Sequence, residues 1–163
     1  MPDAPVTLGY VRFTVTNERL DFQYNPETLK LVIGATWNDR FPHGASHPRA
    51  QFQHTDGRPI EVPLVFFART ADATDLDGTR RLIESMPFPE YDGAGRLRSG
   101  PEPVVFVFGA WRTFRCTVRG VEIEPGPSFD PETTRPRQLT VKLTLAESPA
   151  SGDVSASDVR GGL

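Results

Sequence analysis

Residues 103–147, PVVFVFGAWRTFRCTVRGVEIEPGPSFDPETTRPRQLTVKLTLAE, contain the clearest strand patterns of the chain. The five β-formers of 104–108 follow one another without a polar residue, so this strand is predicted to be covered on both faces. Two longer segments, 114–123 and 139–145, alternate apolar and polar residues, which is typical of strands with one solvent-exposed face. We expect these two long strands to pair antiparallel.

The alternation changes phase near Gly120. Up to Val118 the apolar residues fall at even positions, whereas Val121 and Ile123 fall at odd positions. A residue without a Cβ tolerates a bulge best. The sequence therefore predicts a β-bulge at Gly120 in a long, bent strand.

The remaining strands are predicted from the same alternation. Pro63 has no N–H to donate, so the strand that contains it is expected to begin at a sheet edge. Residues 40–50, with two prolines and a glycine, are predicted to be an irregular loop. The other expected strands are an N-terminal hairpin within 11–24, a third strand over 29–37, a short strand near Phe52 and a strand over 60–67.

One amphipathic helix is predicted from Thr74 to the residue before Pro87. The Thr74 side chain is expected to accept a hydrogen bond from the amide of Asp77. The helix should lie over the sheet, because its apolar residues share one side; they are Leu76, Leu82, Ile83 and Met86.

Length and charge favour a single domain. The chain has 163 residues and a net charge of −3, and it contains no apolar run near the roughly 18 residues that a membrane span needs. We expect one domain over 1–147, a flexible polar tail over 148–163, and no membrane partner. The single cysteine, Cys116, lies in phase with core positions and is predicted to be a buried structural thiol.

No catalytic motif is present, so the sequence does not favour an enzyme. His43, His47 and His54 lie in or near a proline-containing loop without a cysteine or a helical histidine pair, which argues against zinc. We expect no metal, no cofactor and no catalytic residues. The two long strands would leave an unusual length of strand edge unpaired in a single copy. In a ring, neighbouring copies would cover these edges.

The order of these signals resembles the tube-like domain of contractile injection systems and phage tails. The resemblance spans roughly residues 10–147. It departs from the family at Phe67-Ala68, where a Phe-Asp is usual, and in having no LysM module. The matching segments are Phe22-Gln23-Tyr24-Asn25-Pro26-Glu27, the strand to Trp37, 60–67, the helix around Leu82 and Ile83, 101–109, Phe114 to Ile123, Phe129-Asp130-Pro131, and Arg135-Pro136-Arg137 with the strand to Glu147.

The resemblance implies a mainly-β fold, β-barrel or sandwich-like, with long antiparallel hairpins and one flanking α-helix. It implies a virion structural protein of the tail or baseplate: a ring, of six copies, that joins the hub or spike to the tail tube as tube initiator or adaptor. Its partners would be further copies of itself, the hub or spike protein, the tube protein and sheath or wedge proteins. The polar faces of the long strands would then line the lumen, through Arg115, Thr117, Arg119, Thr140, Lys142 and Thr144.

Two alternatives stay open. The chain could be another component of the same machine, such as the tube subunit or a tail-completion protein. From a different class, it could be a monomeric β-barrel that binds a small ligand near Trp37 or Trp111.

Overall fold

The computed structural model describes residues 7–44, 46–70, 73–110 and 112–148, and for 112–114 the backbone alone. Over these residues the chain is mainly β with one helix, which confirms the predicted class. No helix in this part of the chain is long and apolar enough to cross a membrane. The elements are β1 (Tyr10–Phe13), β2 (Arg19–Asp21), β3 (Lys30–Leu31), β4 (Ala35–Arg40), β5 (Arg49–Thr55), β6 (Pro59–Phe67), α1 (Asp75–Ser85), β7 (Glu90–Tyr91), β8 (Leu97–Ser99), β9 (Val104–Phe108), β10 (Arg112–Pro125) and β11 (Gln138–Glu147).

Seven of these strands form one antiparallel sheet in the order β2-β1-β9-β10-β11-β6-β3. The predicted pairing of the two long strands, β10 and β11, is confirmed. The register shifts between Val118 and Gly120, so the predicted bulge is confirmed as well. Arg119 is the extra residue, and because of it Val118 and Val121 both lie on the side of the sheet that carries the core.

The core lies on one face of this sheet and is covered by α1. The helix contributes Leu76, Ile83 and Met86, as its apolar periodicity predicts. Cys116 is fully buried, which confirms that prediction too. The sheet contributes alternate residues of six strands, together with Phe22, which directly follows β2; the strand residues are Val11, Phe13, Leu20, Ile60, Val62, Leu64, Phe66, Val104, Phe106, Val118, Leu139, Val141, Leu143 and Leu145.

The sheet curls but does not close into the barrel that the resemblance implies. In the described residues its edge strands β2 and β3 have only three and two residues, too few to form a closing ladder. The gap is bridged by Gln23, which follows β2. Its carboxamide accepts from the N–H of Phe67 in β6 at 2.8 Å and donates to the carbonyl of Phe67 at 3.0 Å. One side chain thus supplies both hydrogen bonds that a neighbouring strand would have supplied.

Replacing Gln23 with alanine is expected to lower the free energy of unfolding by about 1–2 kcal/mol, because two hydrogen bonds that hold the curled sheet together are lost. Chemical denaturation of the purified protein measures this. Gln53→Ala is the control, since the Gln53 side chain is exposed, and it should change stability by less than about 0.5 kcal/mol. Equal effects from the two variants would contradict a closing role for Gln23.

The predicted third strand over 29–37 is wrong in its continuity. It is divided into β3, which joins the main sheet, and β4, which pairs only with β5. The division lies at Gly34, where the Asp56 amide donates to the Gly34 carbonyl at 3.0 Å. A Cβ at Gly34 would lie 2.7 Å from a carboxylate oxygen of Asp56, so a larger residue here would require the exposed Asp56 side chain to move. The chain leaves the main sheet here and returns to it through Arg58.

The start of α1 also differs from the prediction. The Thr74 side chain makes no capping hydrogen bond, and the Asp77 amide donates to the Thr74 backbone carbonyl at 3.2 Å. Asp75 instead accepts from the Arg69 amide and from the Thr70 hydroxyl, both at 2.8 Å. Burial raises the pKa of Asp75, but these hydrogen bonds outweigh it and the pKa is lowered from its ordinary value. The first turn of the helix is therefore tied to the segment that follows β6.

Candidate functional site

The six residues predicted to line a lumen lie on the sheet face opposite the core. Their neighbours along the strands, such as Cys116 and Leu143, point into the core and are buried. Arg115 and Arg119 are exposed, and the other four are half-buried; these are Thr117, Thr140, Lys142 and Thr144. The polar face of the long strands is therefore available to solvent or to a partner.

These six residues do not form one cluster. Thr144 lies opposite Gly120, and Lys142 lies opposite Glu122, so the β11 residues face the acidic half of β10. Lys142 also pairs with Glu61 of β6 at 3.6 Å. Arg115 lies beyond the end of β11, opposite Val105 of β9. The face carries a mixed patch on β11, whereas Arg115 lies apart from it, nearer the start of β10.

A second feature is a hairpin that projects from the sheet, formed by β4, β5 and the loop between them; we call residues 35–55 the arm. All of its described residues are exposed except Thr36, which is half-buried. The arm carries exposed aromatic side chains. Trp37 is 58% exposed, Phe41 74% and Phe52 50%, and the rings of Trp37 and Phe52 meet edge to face at 5.4 Å.

A smaller exposed hairpin is formed by β7 and β8, which are not among the strands expected from the sequence. Asp92 shapes its turn by accepting from the amides of Ala94 at 2.9 Å and Arg96 at 2.8 Å. Phe88, Tyr91 and Leu97 are each more than half exposed. Each of the two hairpins thus carries at least two large exposed apolar side chains, and concentrated apolar surface marks an interaction site more often than a solvated one.

Among the described residues no group of three or more His, Cys, Asp or Glu side chains is placed to hold a metal ion. His54 lies 3.6 Å from Asp56 at the base of the arm. Burial raises the pKa of the Cys116 thiol from 9.0 to about 12, which keeps the sulfur protonated and unreactive at neutral pH.

Cys116 is accordingly expected to resist thiol reagents in the folded protein. At pH 8 labelling should be at least about 100-fold slower than in the unfolded chain, because the reactive thiolate is scarce and buried. Raising the pH from 9 toward 12 ionises the thiol of the unfolded chain first, so stability should fall over that window. Labelling with a colorimetric disulfide reagent, with and without denaturant, tests this; rapid labelling of the native protein would contradict it.

Comparison with known proteins adds no relative: no protein-family model matches the chain, and no curated protein matches it significantly.

The exposed aromatic surface of the arm was not predicted from the sequence. Tryptophans such as Trp37 and Trp111 more often close the edge of a core than bind a ligand, but Trp37 is 58% exposed, so that expectation is wrong for Trp37. Trp111, the other tryptophan considered, lies outside the described residues. A usable signal was present, since residues 40–54 include five Arg or His and no Asp or Glu.

Proposed function

We propose that this chain is a structural subunit of a contractile phage tail or injection-system baseplate. It forms a ring with further copies of itself and joins the central hub or spike to the tail tube. It has no catalytic role in this proposal. The tail assignment rests on the sequence resemblance, and the structure supports the narrower claim that the surface is built for assembly.

The observation that carries the proposal is the arm. The arm packs on no core and exposes Trp37, Phe41 and Phe52, so in an isolated copy it buries little apolar surface and adds little to stability. Aromatic side chains are enriched in the centres of protein interfaces, where they become buried. A partner surface that covers the arm would bury these aromatic side chains and so remove their apolar surface from water.

The sheet edges support the same conclusion. On the side of β6 away from β11, β3 covers only Ile60 and Glu61. Pro63 lies farther along that edge and has no N–H to donate, which discourages uncontrolled strand addition. An edge protected in this way suits a protein that must assemble through chosen contacts and avoid random ones.

In this proposal the polar face of β10 and β11 lines the channel, with Arg115, Thr117 and Arg119 from one strand. The other strand contributes Thr140, Lys142 and Thr144.

A tube subunit would have the same surfaces but would form filaments, so electron microscopy of the purified protein separates the two roles. A small-ligand barrel is less favoured, because the inside of the curled sheet is filled by side chains such as Phe22, Phe66 and Phe106.

The test replaces the exposed aromatic pair of the arm, Trp37→Ser with Phe52→Ser, in the gene of the strain that produces the particle. We expect the yield of particles with an intact tube to fall by about tenfold or more, because central aromatic residues supply much of an interface's binding energy. Stability should be unchanged, since both rings are largely exposed.

The matched control is Val15→Ser, which removes an apolar side chain that is 77% exposed and lies outside the arm. It should leave particle yield unchanged. Normal particles from the double arm variant would contradict the role of the arm. Particles that lack the chain altogether would reject the proposed function.

A further inference from the structure

The outer part of the arm carries more positive than negative charge. Residues 39–49 contain Arg40, Arg49 and two histidines against one acidic residue, Asp39, whose register partner is Ala50 of β5. Arg40 and Arg49 are register partners at the end of β4 and β5, and both are exposed. Like charges directly opposite one another destabilise a strand pair. Neither arginine forms an ion pair with a described residue, so the repulsion between them is not offset within the copy.

The far end of the long hairpin has the opposite sign. Residues 120–134, which we call the acidic end, contain four acidic residues and no Lys, Arg or His. Asp130 is already engaged: the Thr133 hydroxyl and amide and the Arg137 guanidinium hold its pKa below the ordinary value. Glu124 and Glu132 are exposed and form no ion pair with a described residue. They are available to a cationic partner.

An apolar contact is available beside each charged group. Phe41 follows Arg40 on the arm and is 74% exposed. Phe129 lies three residues before Glu132 on the acidic end and is 51% exposed. Each surface therefore combines charge with an accessible aromatic ring, as protein interfaces with an aromatic centre and a polar rim do.

The two surfaces lie at opposite ends of the β6–β11 strand pair. The arm returns to the sheet just before Pro59, which pairs with Ala146, whereas the acidic end precedes Gln138, which pairs with Phe67. Eight residue steps of β6 separate these levels, about 26 Å. No hydrogen bond or ion pair between described residues joins the arm to the acidic end. Complementary surfaces at opposite ends of one chain meet only when copies associate head to tail.

We propose that the arm of one copy docks on the acidic end of the next, with Arg40 and Arg49 facing Glu124 and Glu132 and with Phe41 against Phe129. The contact is heterologous, so it propagates and closes into a ring when the rotation between copies permits. This inference rests on the proposed function in that it names the contact through which copies assemble. The occupant of the arm surface is a second copy of this chain.

The test uses two full-length chains, one with Phe41→Cys and the other with Phe129→Cys, mixed and mildly oxidised. The buried Cys116 does not compete. A disulfide between positions 41 and 129, identified by mass spectrometry, should form at least about tenfold more than with a Val15→Cys partner, and less at high salt, which screens charge attraction.

Charge reversal makes the test specific. Arg40→Glu with Arg49→Glu on the first chain should lower the yield about tenfold, and Glu124→Lys with Glu132→Lys on the second chain should then restore it. The control is Arg96→Glu with Arg98→Glu on the β7–β8 hairpin, which removes two exposed charges of the same kind and should have no effect.

The inference is overturned if charge reversal leaves the yield of the 41–129 disulfide unchanged. It is also overturned if that yield does not exceed the yield with the Val15→Cys partner. Because this test uses the purified chain alone, it can fail while the chain is still found in tail particles. In that case the ring would be built through another contact, and the proposed function would stand.

Discussion

Replacing Glu147 with alanine is expected to lower the free energy of unfolding by about 3–5 kcal/mol, the usual cost of removing one partner from a buried ion pair. The Arg58 guanidinium donates two hydrogen bonds to the two carboxylate oxygens of Glu147. Only 12% of the Arg58 side chain and 9% of the Glu147 side chain are exposed. The alanine variant would leave the arginine charge buried without a partner.

This pair also joins two distant parts of the chain. The Glu147 amide donates to the Arg58 carbonyl at 3.3 Å, so backbone and side chains together fix the end of β11 to the start of β6. The arm returns to the sheet at the same place, and its root should become mobile in the variant. Urea unfolding of the purified protein gives the stability change.

The control for Glu147→Ala is a variant of a solvent-exposed ion pair. Arg80 and Glu84 lie one turn apart on α1 and are about half exposed, so Arg80→Ala should cost less than about 0.5 kcal/mol. The double variant Arg58→Met with Glu147→Leu should recover part of the lost stability, because neither charge is then left alone. If Glu147→Ala costs no more than Arg80→Ala, the buried pair does not have the role described.

Replacing Phe106 with alanine should be similarly costly, at about 3–5 kcal/mol. The Phe106 side chain is fully buried, and its ring lies 6.2 Å from that of Phe22 and 6.2 Å from that of Phe108. Removing it leaves a cavity between β9 and the segment after β2, and well-packed surroundings collapse only partly into such a cavity.

Thermal and chemical unfolding of Phe106→Ala measure this cost. Phe88→Ala removes the same ring from a position that is 67% exposed, so it should change stability by less than about 0.5 kcal/mol. Comparable losses of unfolding free energy in the two variants would contradict the buried, closely packed position of Phe106.

The central part of the fold could be predicted because its signals are local. The alternation in β10 and β11, together with the change of phase at Gly120, determines which side chains enter the core and where the bulge lies. The apolar stripe of α1 similarly predicts that Leu76 and Ile83 are buried. In both cases neighbouring residues carry enough information to decide which face is covered.

The arm and the closure of the sheet could not be predicted in this way. Every residue of β5 is exposed, so burial imposes no periodic pattern on it. Gln23 and Phe67 are 44 residues apart in the chain, and Arg58 and Glu147 are 89 apart. Such contacts depend on the path of the whole sheet. At the break at Gly34 the hydrogen-bond partner is likewise not a near neighbour in sequence, since the Gly34 carbonyl accepts from the amide of Asp56.

Cryo-electron microscopy of tail or injection particles from the producing strain, with mass spectrometry of the same sample, shows whether this chain forms a ring in the tail. We expect the chain to be present as one closed ring between the hub and the tube, with the arm of each copy covered by a neighbour. Intact particles without the chain, or a ring in which the arms point into solvent, would contradict it.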